Sequence, residues 1–329
     1  MEENGFEIFD YFRGKRILVT GGAGFVGTNL VLALSKLEPK KITVLDNLFT
    51  GKRENLIGLD LQFIRGDIGD FELVQDLVRQ SDVVFHLAAR NIIVSTKEPQ
   101  KDFSTNTGGT FNILEAARSS NVERVVYTSS VSIFGNAVHL PIDEDDEVYP
   151  LNPYAASKLC GESYCHAYFE TYNVPVTIVR YSNVYGPFQL PTNPYCGVIS
   201  KFIDRGAKGA PLQIHGDGEQ TRDFTYIADA VEATVRAASS PQALGGTFNV
   251  GTAVEISVNH LARTILEVVF GGKSTSVIEY IQKRDIDNVR RRVLSIERSR
   301  RVLRWSPRYT LRDGLTKTWE WVGKYSVNA

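Results

Sequence analysis

Three glycines, each separated from the next by two residues, constrain the fold more than any other feature of the chain. The mainly apolar run Arg16–Thr20 before them is typical of a buried strand, and residues 25–37 after them have the periodicity of a helix. Gly21, Gly24 and Gly27 lie at this junction, where the lack of side chains permits a tight turn and close packing of helix on strand. This order predicts the first unit of a doubly wound α/β fold.

Apolar runs and amphipathic segments alternate through the first half of the chain. Further strands are predicted at residues 42–45, 61–64, 83–86, 125–128 and 176–179, and further helices at 71–78, 102–118 and 154–172. Continuously apolar strands alternating with helices are typical of a parallel sheet covered on both faces. We therefore predict a Rossmann-type, doubly wound parallel sheet in residues 1–180. Residues 181–329 are predicted to form a smaller, mainly substrate-binding region, with some segments returning to the first domain.

An acidic residue ends the second predicted strand, at the spacing from the glycine turn that is typical of dinucleotide-binding folds. A carboxylate at Asp46 can accept hydrogen bonds from both hydroxyls of an adenine ribose, and it would repel a 2′-phosphate. The free N–H groups of the helix after the glycine turn suit a pyrophosphate. These features predict NAD rather than NADP. Lys52 and Arg53 are nearby positive charges that argue the other way, and the alternative role of Asp46 is to start a turn with Asn47.

A tyrosine and a lysine at positions i and i+4 open a later predicted helix. Tyr154 and Lys158 would share one face of that helix, and the ammonium would lower the tyrosine pKa from its usual value of about 10. Tyr154 would then act as a general base. Tyr11 and Lys15 have the same spacing but precede the first strand, so position in the fold decides between the two pairs. Ser130 would lie beside the nicotinamide, its alternative being a polar loop residue.

Taken together, these motifs resemble those of extended short-chain dehydrogenases/reductases, and more narrowly NAD-dependent nucleotide-sugar epimerases of the UDP-glucose 4-epimerase type. The resemblance extends from about residue 14 to residue 322. It implies that Tyr154 removes the proton of the sugar C4 hydroxyl while a hydride passes to NAD and later returns to the opposite face of a 4-keto intermediate. Lys158 would tune Tyr154 and hold the nicotinamide ribose, and Ser130 would bind the reacting oxygen.

The resemblance completes the set of candidate cofactor-binding residues. Asp67 would bind the adenine amino group, and its alternative role is to cap the following helix. The full set is Gly21, Gly24, Phe25, Val26, Gly27, Asp46, Asn47, Asp67, Ile68, Leu87, Ala88, Ala89, Asn106, Tyr154 and Lys158.

The residues after Ser130 separate the reactions known on this scaffold. Members that dehydrate nucleotide-sugars carry an Asp-Glu pair there, and decarboxylating members usually keep a Glu, whereas residues 129–135 of this chain contain no carboxylate. Epimerisation is therefore favoured over elimination of water, and the nearest alternative is another reaction on the same scaffold, such as oxidation–decarboxylation or a net reduction. A catalytically idle NAD-binding regulator is a further alternative, against which the retention of Ser130, Tyr154 and Lys158 argues. Phe134 stands where the family usually has Tyr, as a packing residue or one that reshapes the sugar pocket.

The resemblance also assigns residues to the substrate, most readily a UDP-sugar. Arg222 and Asn183 would bind its diphosphate, and the alternative for Arg222 is an ion pair with Asp223 or Asp229. The full set of candidate substrate-binding residues is Ser130, Asn183, Val198, Gln213, His215, Arg222, Arg284 and Asp287.

Four of these residues would recognise the nucleoside end of the substrate. Gln213 and His215 would flank the base, although a lone histidine near a loop is more often structural. Arg284 and Asp287 match an Arg-x-x-Asp motif of the family, in which the arginine contacts phosphate and the acid contacts the ribose.

A basic run near the C-terminus bears on the charge of the sugar. Arg291, within Arg290-Arg291-Arg292, falls where relatives place a residue that gates the sugar pocket. An arginine there would favour an anionic sugar such as a glucuronate by charge complementarity. The alternative is a solvated basic face. Ser295 stands where relatives commonly carry Asp.

Composition excludes several classes of protein. The net charge of −1 offers no global basic excess for nucleic acid or anionic membranes, and no run of about 18 apolar residues predicts a membrane span. Three cysteines without a C-x-x-C pair argue against a disulfide framework or a zinc site, so no metal is expected. With no signal-peptide pattern, we predict a cytoplasmic protein. The family commonly dimerises, which implies a homodimer through residues 102–118 and 154–172. The acidic run 143–147 is expected to be solvated.

Overall fold

The computed structural model describes residues 8, 10–191, 193, 196–271, 275–283 and 289–327. Its strands are β1 (Arg16–Thr20), β2 (Lys41–Asp46), β3 (Gln62–Arg65), β4 (Val83–His86), β5 (Arg124–Ser130), β6 (Val176–Tyr181), β7 (Asn183–Tyr185), β8 (Leu212–His215), β9 (Thr221–Arg222), β10 (Phe224–Tyr226), β11 (Thr247–Val250), β12 (Ile256–Ser257) and β13 (Ile278–Ile281).

Helices connect these strands on both sides of the main sheet. They are α1 (Phe25–Leu34), α2 (Phe71–Arg79), α3 (Ile92–Lys97), α4 (Pro99–Asp102), α5 (Gly109–Arg118), α6 (Pro153–Tyr172), α7 (Val198–Ala207), α8 (Ile227–Ser239), α9 (Val258–Val268), α10 (Glu297–Leu303) and α11 (Leu311–Val327). Between α4 and α5 the chain forms a π-helical turn, Phe103–Gly108. Among the described helices, none combines the length and the apolar character of a membrane span.

Seven strands form the parallel sheet that the apolar runs predicted. Their order is β11-β6-β5-β4-β1-β2-β3, and every neighbouring pair is parallel. In the centre, Val19 pairs with Val44 on one side and Phe85 on the other, and all three side chains are fully buried. Apolar faces of α1 and α8 cover one side of the sheet, and those of α2, α5 and α6 cover the other. The doubly wound α/β fold is confirmed.

Sequence periodicity missed the strand at one edge of the sheet. β11 comes from the second half of the chain and pairs with β6, as Phe248 with Val179. Its outer edge is covered by Glu144, whose Oε1 accepts a hydrogen bond from the Asn249 main-chain N–H at 2.8 Å. The expectation that the whole acidic run 143–147 is solvated is therefore wrong for Glu144, because this carboxylate closes the edge of the sheet.

The helix predicted over residues 102–118 is interrupted. α4 ends at Asp102, a π-helical turn follows, and α5 begins at Gly109. Periodicity does not reveal such a turn, because its residues after Phe103 are polar or small and form no apolar stripe. The turn brings Asn106 inward to almost complete burial, beneath the loop that follows β4.

The region after residue 181 contributes three two-stranded sheets beside the main one. β7 pairs with β10 and β8 pairs with β13, both in parallel, and β9 pairs with β12 in antiparallel orientation. These short strands carry several of the predicted substrate-binding residues. The domain boundary near residue 180 remains a prediction.

Candidate active site

The glycine turn leaves a backbone cradle at the carboxyl end of β1. Gly21 has a φ of +69°, and a Cβ there would lie 2.8 Å from the main-chain nitrogen of Ala88. A Cβ on Gly27 would lie 2.2 Å from the Gly21 carbonyl oxygen. Neither position can carry a side chain, so backbone N–H groups line the start of α1, where no described side chain caps the helix. This cradle fits the diphosphate of a dinucleotide.

Asp46 lines the same cleft and also organises the loops around it. Its Oδ2 accepts a hydrogen bond from Ala23 N at 3.0 Å, and its Oδ1 accepts one from Leu48 N at 2.8 Å. Burial raises the pKa of Asp46, and the hydrogen bonds from these main-chain groups oppose that rise. Asp46 therefore makes the turn that was its alternative role, and it also lines the cleft.

Most predicted cofactor-binding residues line one cleft above the sheet. Those that do are Gly21, Gly24, Phe25, Val26, Gly27, Asp46, Asn47, Ile68, Leu87, Ala88 and Ala89. The cleft is completed by residues that sequence reasoning missed, namely Leu45, Phe49, Thr50, Gly66, Arg90, Asn91 and Thr105. The signal for several of them was position alone, because they directly follow predicted residues in the loops after β2 and β4.

Asp67 holds residues next to this cleft by hydrogen bonds. Its carboxylate accepts hydrogen bonds from the Asn47 side chain at 2.6 Å and from Gly69 N at 2.8 Å. Its alternative role as a helix cap is wrong, because Asp70 caps α2 by accepting from Leu73 N at 3.2 Å.

Asn106 also lies behind the cleft, where it holds the loop after β4. Its Oδ1 accepts from Arg90 N at 2.7 Å, and its Nδ2 donates to Arg90 O at 3.1 Å and to Asp102 Oδ1 at 2.6 Å. Thr105, its neighbour, is the residue of this turn that lines the cleft. Asn106 therefore shapes the cofactor cleft through the main chain of Arg90.

The three predicted catalytic residues meet where β5 ends against α6. A hydrogen bond links the Ser130 side chain with Tyr154, and Ser130 Oγ also accepts from Ser132 N at 3.2 Å. Lys158 is buried, and its Nζ donates to the carbonyl oxygen of Thr128 at 2.8 Å. The structure thus brings Ser130, Tyr154 and Lys158 together at the carboxyl end of the sheet.

We predicted that Lys158 lowers the pKa of Tyr154, but in the structure the surroundings of Tyr154 raise its pKa. Burial raises the pKa of Tyr154; the hydrogen bond with Ser130 opposes the rise, and the charge of Asp102 adds to it. Burial also lowers the pKa of Lys158 to about 8, although the charges of Asp102 and Glu162 act against that loss. The cost of burying a phenolate therefore exceeds the stabilisation available from these neighbours.

Two of the predicted substrate-binding residues, Asn183 and Arg222, lie on short strands of two different two-stranded sheets. Asn183 N donates to Asp223 O at 2.9 Å. Arg222 is buried, and its Nη1 donates to the carbonyl oxygens of Thr221 and Val289 at 2.8 and 2.9 Å. The Asp223 carboxylate accepts from Thr252 N and Oγ1 at 2.8 and 2.7 Å.

The remaining candidates are more dispersed. Gln213 and His215 lie on β8, where Gln213 donates to Glu279 at 2.9 Å and His215 Nδ1 lies 2.9 Å from Gln282 O. Val198 begins α7. Arg284 and Asp287 lie outside the described residues.

Arg291 is paired with a carboxylate. Its Nε and Nη2 donate to the two oxygens of Glu255 at 2.8 and 2.7 Å, and Thr221 Oγ1 donates to the same group. Phe134 is buried among Val131 and other apolar side chains, which agrees with a packing role. Within the described part of the chain, no three His, Cys, Asp or Glu side chains cluster as metal ligands.

The chain is similar to a known protein family, in both its sequence and its structure. Residues 17–251 match the model of a family described as the NAD dependent epimerase/dehydratase family. The UDP-glucose 4-epimerase of Mycolicibacterium smegmatis is 38% identical over 312 residues, which cover 93% of this chain and 97% of that protein. The structure of an epimerase from Methanothermobacter thermautotrophicus superposes with a TM-score of 0.94 at 33% identity, covering 99% of this chain and 97% of the other.

Solved relatives hold the cofactor, and curated relatives catalyse more than one reaction. The UDP-glucuronic acid 4-epimerase of Bacillus cereus, in complex with UDP-glucuronic acid and NAD, has a TM-score of 0.85 at 31% identity, covering 94% of this chain and 99% of the other. A dTDP-D-glucose 4,6-dehydratase from Homo sapiens and a UDP-N-acetyl-alpha-D-glucosaminuronate decarboxylase from Bacillus cytotoxicus are each 34% identical to this chain.

Proposed function

The chain belongs to the NAD dependent epimerase/dehydratase family, and from this premise we propose that it epimerises a UDP-hexose at C4 through a transient 4-keto intermediate. NAD is the cofactor of the family, and it supplies reversible hydride acceptance when bound. The glycine cradle and Asp46 would hold its diphosphate and adenine ribose. Residues 181–329 would mainly bind the nucleotide-sugar.

One observation carries the choice of reaction. The two residues after Ser130 are an apolar one and a hydroxyl, instead of the acid and base that elimination of water requires. Val131 is buried in the apolar cluster around Phe134, and Ser132 Oγ lies 3.1 Å from Ser130 Oγ. A proton can therefore be moved at the C4 oxygen by Tyr154, but no carboxylate in this segment is placed to protonate a leaving hydroxyl.

Each catalytic side chain has a distinct role in the proposed reaction. Tyr154 takes the proton from the C4 hydroxyl and returns it after the sugar has turned over. Ser130 donates a hydrogen bond to the same oxygen while its charge changes. Lys158, fixed by Thr128, holds positive charge beside the cofactor ribose and the phenol.

The residues predicted to contact the substrate favour a neutral sugar attached to a nucleoside diphosphate. Arg222 and Asn183 would bind the diphosphate. Arg291, which would attract an anionic sugar if it were unpaired, makes a bidentate ion pair with Glu255. Because this pair compensates its charge, a hexose is favoured over a hexuronate.

We also propose that the protein works as a homodimer in the cytoplasm. Aromatic side chains on α5, α6 and the preceding turn are exposed, which supports pairing of these helices with a second copy. Phe103, Phe111, Tyr164 and Tyr172 form this aromatic patch, with exposed fractions from 39% to 65%. Leu114 and Tyr168, on the same two helices, are buried in the core instead.

Incubation with a panel of UDP-, dTDP-, CDP- and GDP-sugars, followed by product analysis, tests the proposed reaction. An epimerase interconverts UDP-glucose and UDP-galactose without added NADH and without a net change in absorbance at the NADH band. A product that has lost water or carbon dioxide, or consumption of NADH, would assign a different reaction. Turnover of UDP-glucuronate above UDP-glucose would overturn the neutral sugar, and NAD binding without any turnover would indicate a regulator.

A further inference from the structure

Two side chains from separate loops meet across the cofactor cleft. The guanidinium carbon of Arg90 lies 3.8 Å from the centroid of the Phe49 ring. Phe49 follows β2 and Arg90 follows β4, and in the sheet these strands flank β1, which carries the glycine turn. Both residues line the cleft. The contact therefore spans the cleft beside the cradle formed by Gly21 and Gly24.

The backbone of Arg90 is held firmly while its side chain extends into the cleft. Asn106 bonds both the N–H and the C=O of Arg90, at 2.7 and 3.1 Å, and Asn106 is held in turn by Asp102. Arg90 Nε donates a long hydrogen bond of 3.4 Å to Thr105 Oγ1. These contacts fix the position of Arg90 without using its terminal nitrogens.

One terminal nitrogen of this guanidinium is buried without an acceptor. Among the described residues, Arg90 Nη1 has no hydrogen-bond partner. A buried donor without an acceptor is costly, and a charged one more so. The cost is removed if a ligand brings oxygen atoms to the cleft. Within the cleft lining, Asp46 is the acidic residue and Arg90 the basic one.

The chemistry of the missing acceptor follows from its neighbours. Asp46 suits the hydroxyls of a ribose, and the start of α1 suits phosphate oxygens. A planar guanidinium also prefers phosphate oxygens, which it can bind through two nitrogens. We propose that Arg90 binds the diphosphate of NAD, and that Phe49 and Arg90 close together over the cofactor and slow its release. This proposal concerns the cofactor and holds whichever sugar the protein converts.

Binding of the cofactor, measured separately from catalysis, tests the proposal. In Arg90→Met the side chain keeps its length and loses its charge, so the Kd for NAD, measured calorimetrically on protein stripped of nucleotide, is expected to rise roughly 10- to 100-fold. The dependence of that Kd on salt should also weaken. In Phe49→Ala the dissociation rate of NAD should rise several-fold, with a smaller change in the association rate.

Arg53 supplies a matched control. It is an exposed arginine near the same cleft, and its guanidinium lies 5.4 Å from the Phe63 ring centroid, outside the cleft lining. Arg53→Met should bind NAD with the affinity and dissociation rate of the unmodified protein. If it weakens binding as much as Arg90→Met, the effect is one of general charge and the proposal fails.

Fragments of the cofactor identify the group that Arg90 binds. Arg90→Met should weaken binding of ADP about as much as binding of NAD, and it should leave binding of adenosine unchanged. An equal loss for adenosine would mean that the substitution disturbs the loop, and the assignment to the diphosphate would be overturned. Wild-type affinity and dissociation rate for NAD in Arg90→Met would overturn it as well. Thermal unfolding of each variant establishes that the fold is retained.

Discussion

The ammonium group of Lys158 donates a hydrogen bond to the carbonyl oxygen of Thr128 at 2.8 Å. This contact ties α6 to β5 just before the strand reaches Ser130. The positions of the ammonium and of the Ser130 hydroxyl are thus both fixed by β5. Tyr154 lies one helical turn before Lys158 on α6. The relative positions of the three groups are therefore set by rigid elements rather than by a loop, which favours reproducible geometry at the reacting oxygen.

Removing the Tyr154 hydroxyl should abolish the general base and leave the cofactor cleft intact. We expect Tyr154→Phe to lower kcat about 10²- to 10⁴-fold, in line with the usual contribution of a positioned base, and to retain NAD. Turnover of UDP-glucose and calorimetric NAD binding measure the two effects. Tyr164→Phe, an exposed position on the same helix, should behave as the unmodified protein. Near-normal turnover in Tyr154→Phe would refute its assignment.

Asp102 should control the pH dependence of the reaction from behind the site. Its charge raises the pKa of both Tyr154 and Lys158, and its Oδ1 accepts a hydrogen bond from Ser157 at 3.1 Å. Asp102→Asn keeps an acceptor there but removes the charge, so both pKa values should fall. Since Tyr154 acts when ionised, the acidic limb of the kcat profile should move to lower pH.

The alkaline limb of that profile should move in the same direction. Burial already lowers the pKa of Lys158 to about 8, and loss of the Asp102 charge lowers it further, so the ammonium is lost at lower pH. Asp60→Asn, at an exposed position, provides the control. An unmoved profile in Asp102→Asn would confine Asp102 to a structural role.

His86 should make the folded state sensitive to acid. It is buried, with Nδ1 2.8 Å from Thr20 Oγ1 and Nε2 3.0 Å from Thr110 Oγ1, and burial lowers its pKa from 6.5 to about 3. Below pH 6.5 the unfolded chain binds a proton that the folded one excludes. Stability from this group is therefore complete above pH 6.5 and is lost as the pH falls toward 3.

Substitution of His86 by glutamine should remove this dependence. The difference in unfolding free energy between wild type and His86→Gln, measured in urea, should shrink by about 2 kcal/mol between pH 7.5 and pH 5. His139→Gln, at an exposed position, should show no such change. A constant difference for His86→Gln would show that the folded protein protonates this ring as readily as the unfolded chain does.

Asp46 should determine the choice between NAD and NADP. Asp46→Asn removes the charge that repels a 2′-phosphate and weakens the hydrogen bonds to the ribose. We expect the Kd for NAD to rise about 10-fold or more and the ratio of the NADP Kd to the NAD Kd to fall by at least that factor. A merely structural defect would weaken both cofactors and leave the ratio unchanged.

The aromatic patch on α5 and α6 should be the surface that joins two copies. Phe111 is 40% exposed, and its ring centroid lies 5.8 Å from that of Tyr164. Phe111→Glu places a charge in this patch and should shift the protein to monomers in size-exclusion chromatography with light scattering. Val138→Glu, in an exposed loop, should leave the oligomeric state unchanged. If the wild-type protein is monomeric in the same measurement, the proposed homodimer is wrong.

The elements that sequence reasoning located share one physical property. A parallel strand buried on both faces, such as β4, must be continuously apolar, and a glycine turn such as that at Gly21 tolerates no side chain, so both are visible in residue types. The π-helical turn and the roles of Asp102 and Asn106 depend on contacts between distant segments, which leave no local pattern.

The pKa values and charge pairs of the site were harder to predict from the sequence than its geometry. The spacing of Tyr154 and Lys158 correctly brought the two onto one helix face, but spacing carries no information on burial. Burial turned out to dominate the pKa of both groups. In the same way, the charge of Arg291 is visible in the sequence, whereas its pairing with Glu255 requires the fold.

The edge position of β11 has a consequence for how the protein is made. On the ribosome, β6 emerges well before its outer neighbour, and until β11 arrives its unpaired N–H and C=O groups offer a template for strands of other chains. The nascent first half is thus exposed to aggregation at one side. A gene truncated after residue 180 would make that exposure permanent, so the N-terminal half should need a chaperone or a fusion partner to stay dispersed.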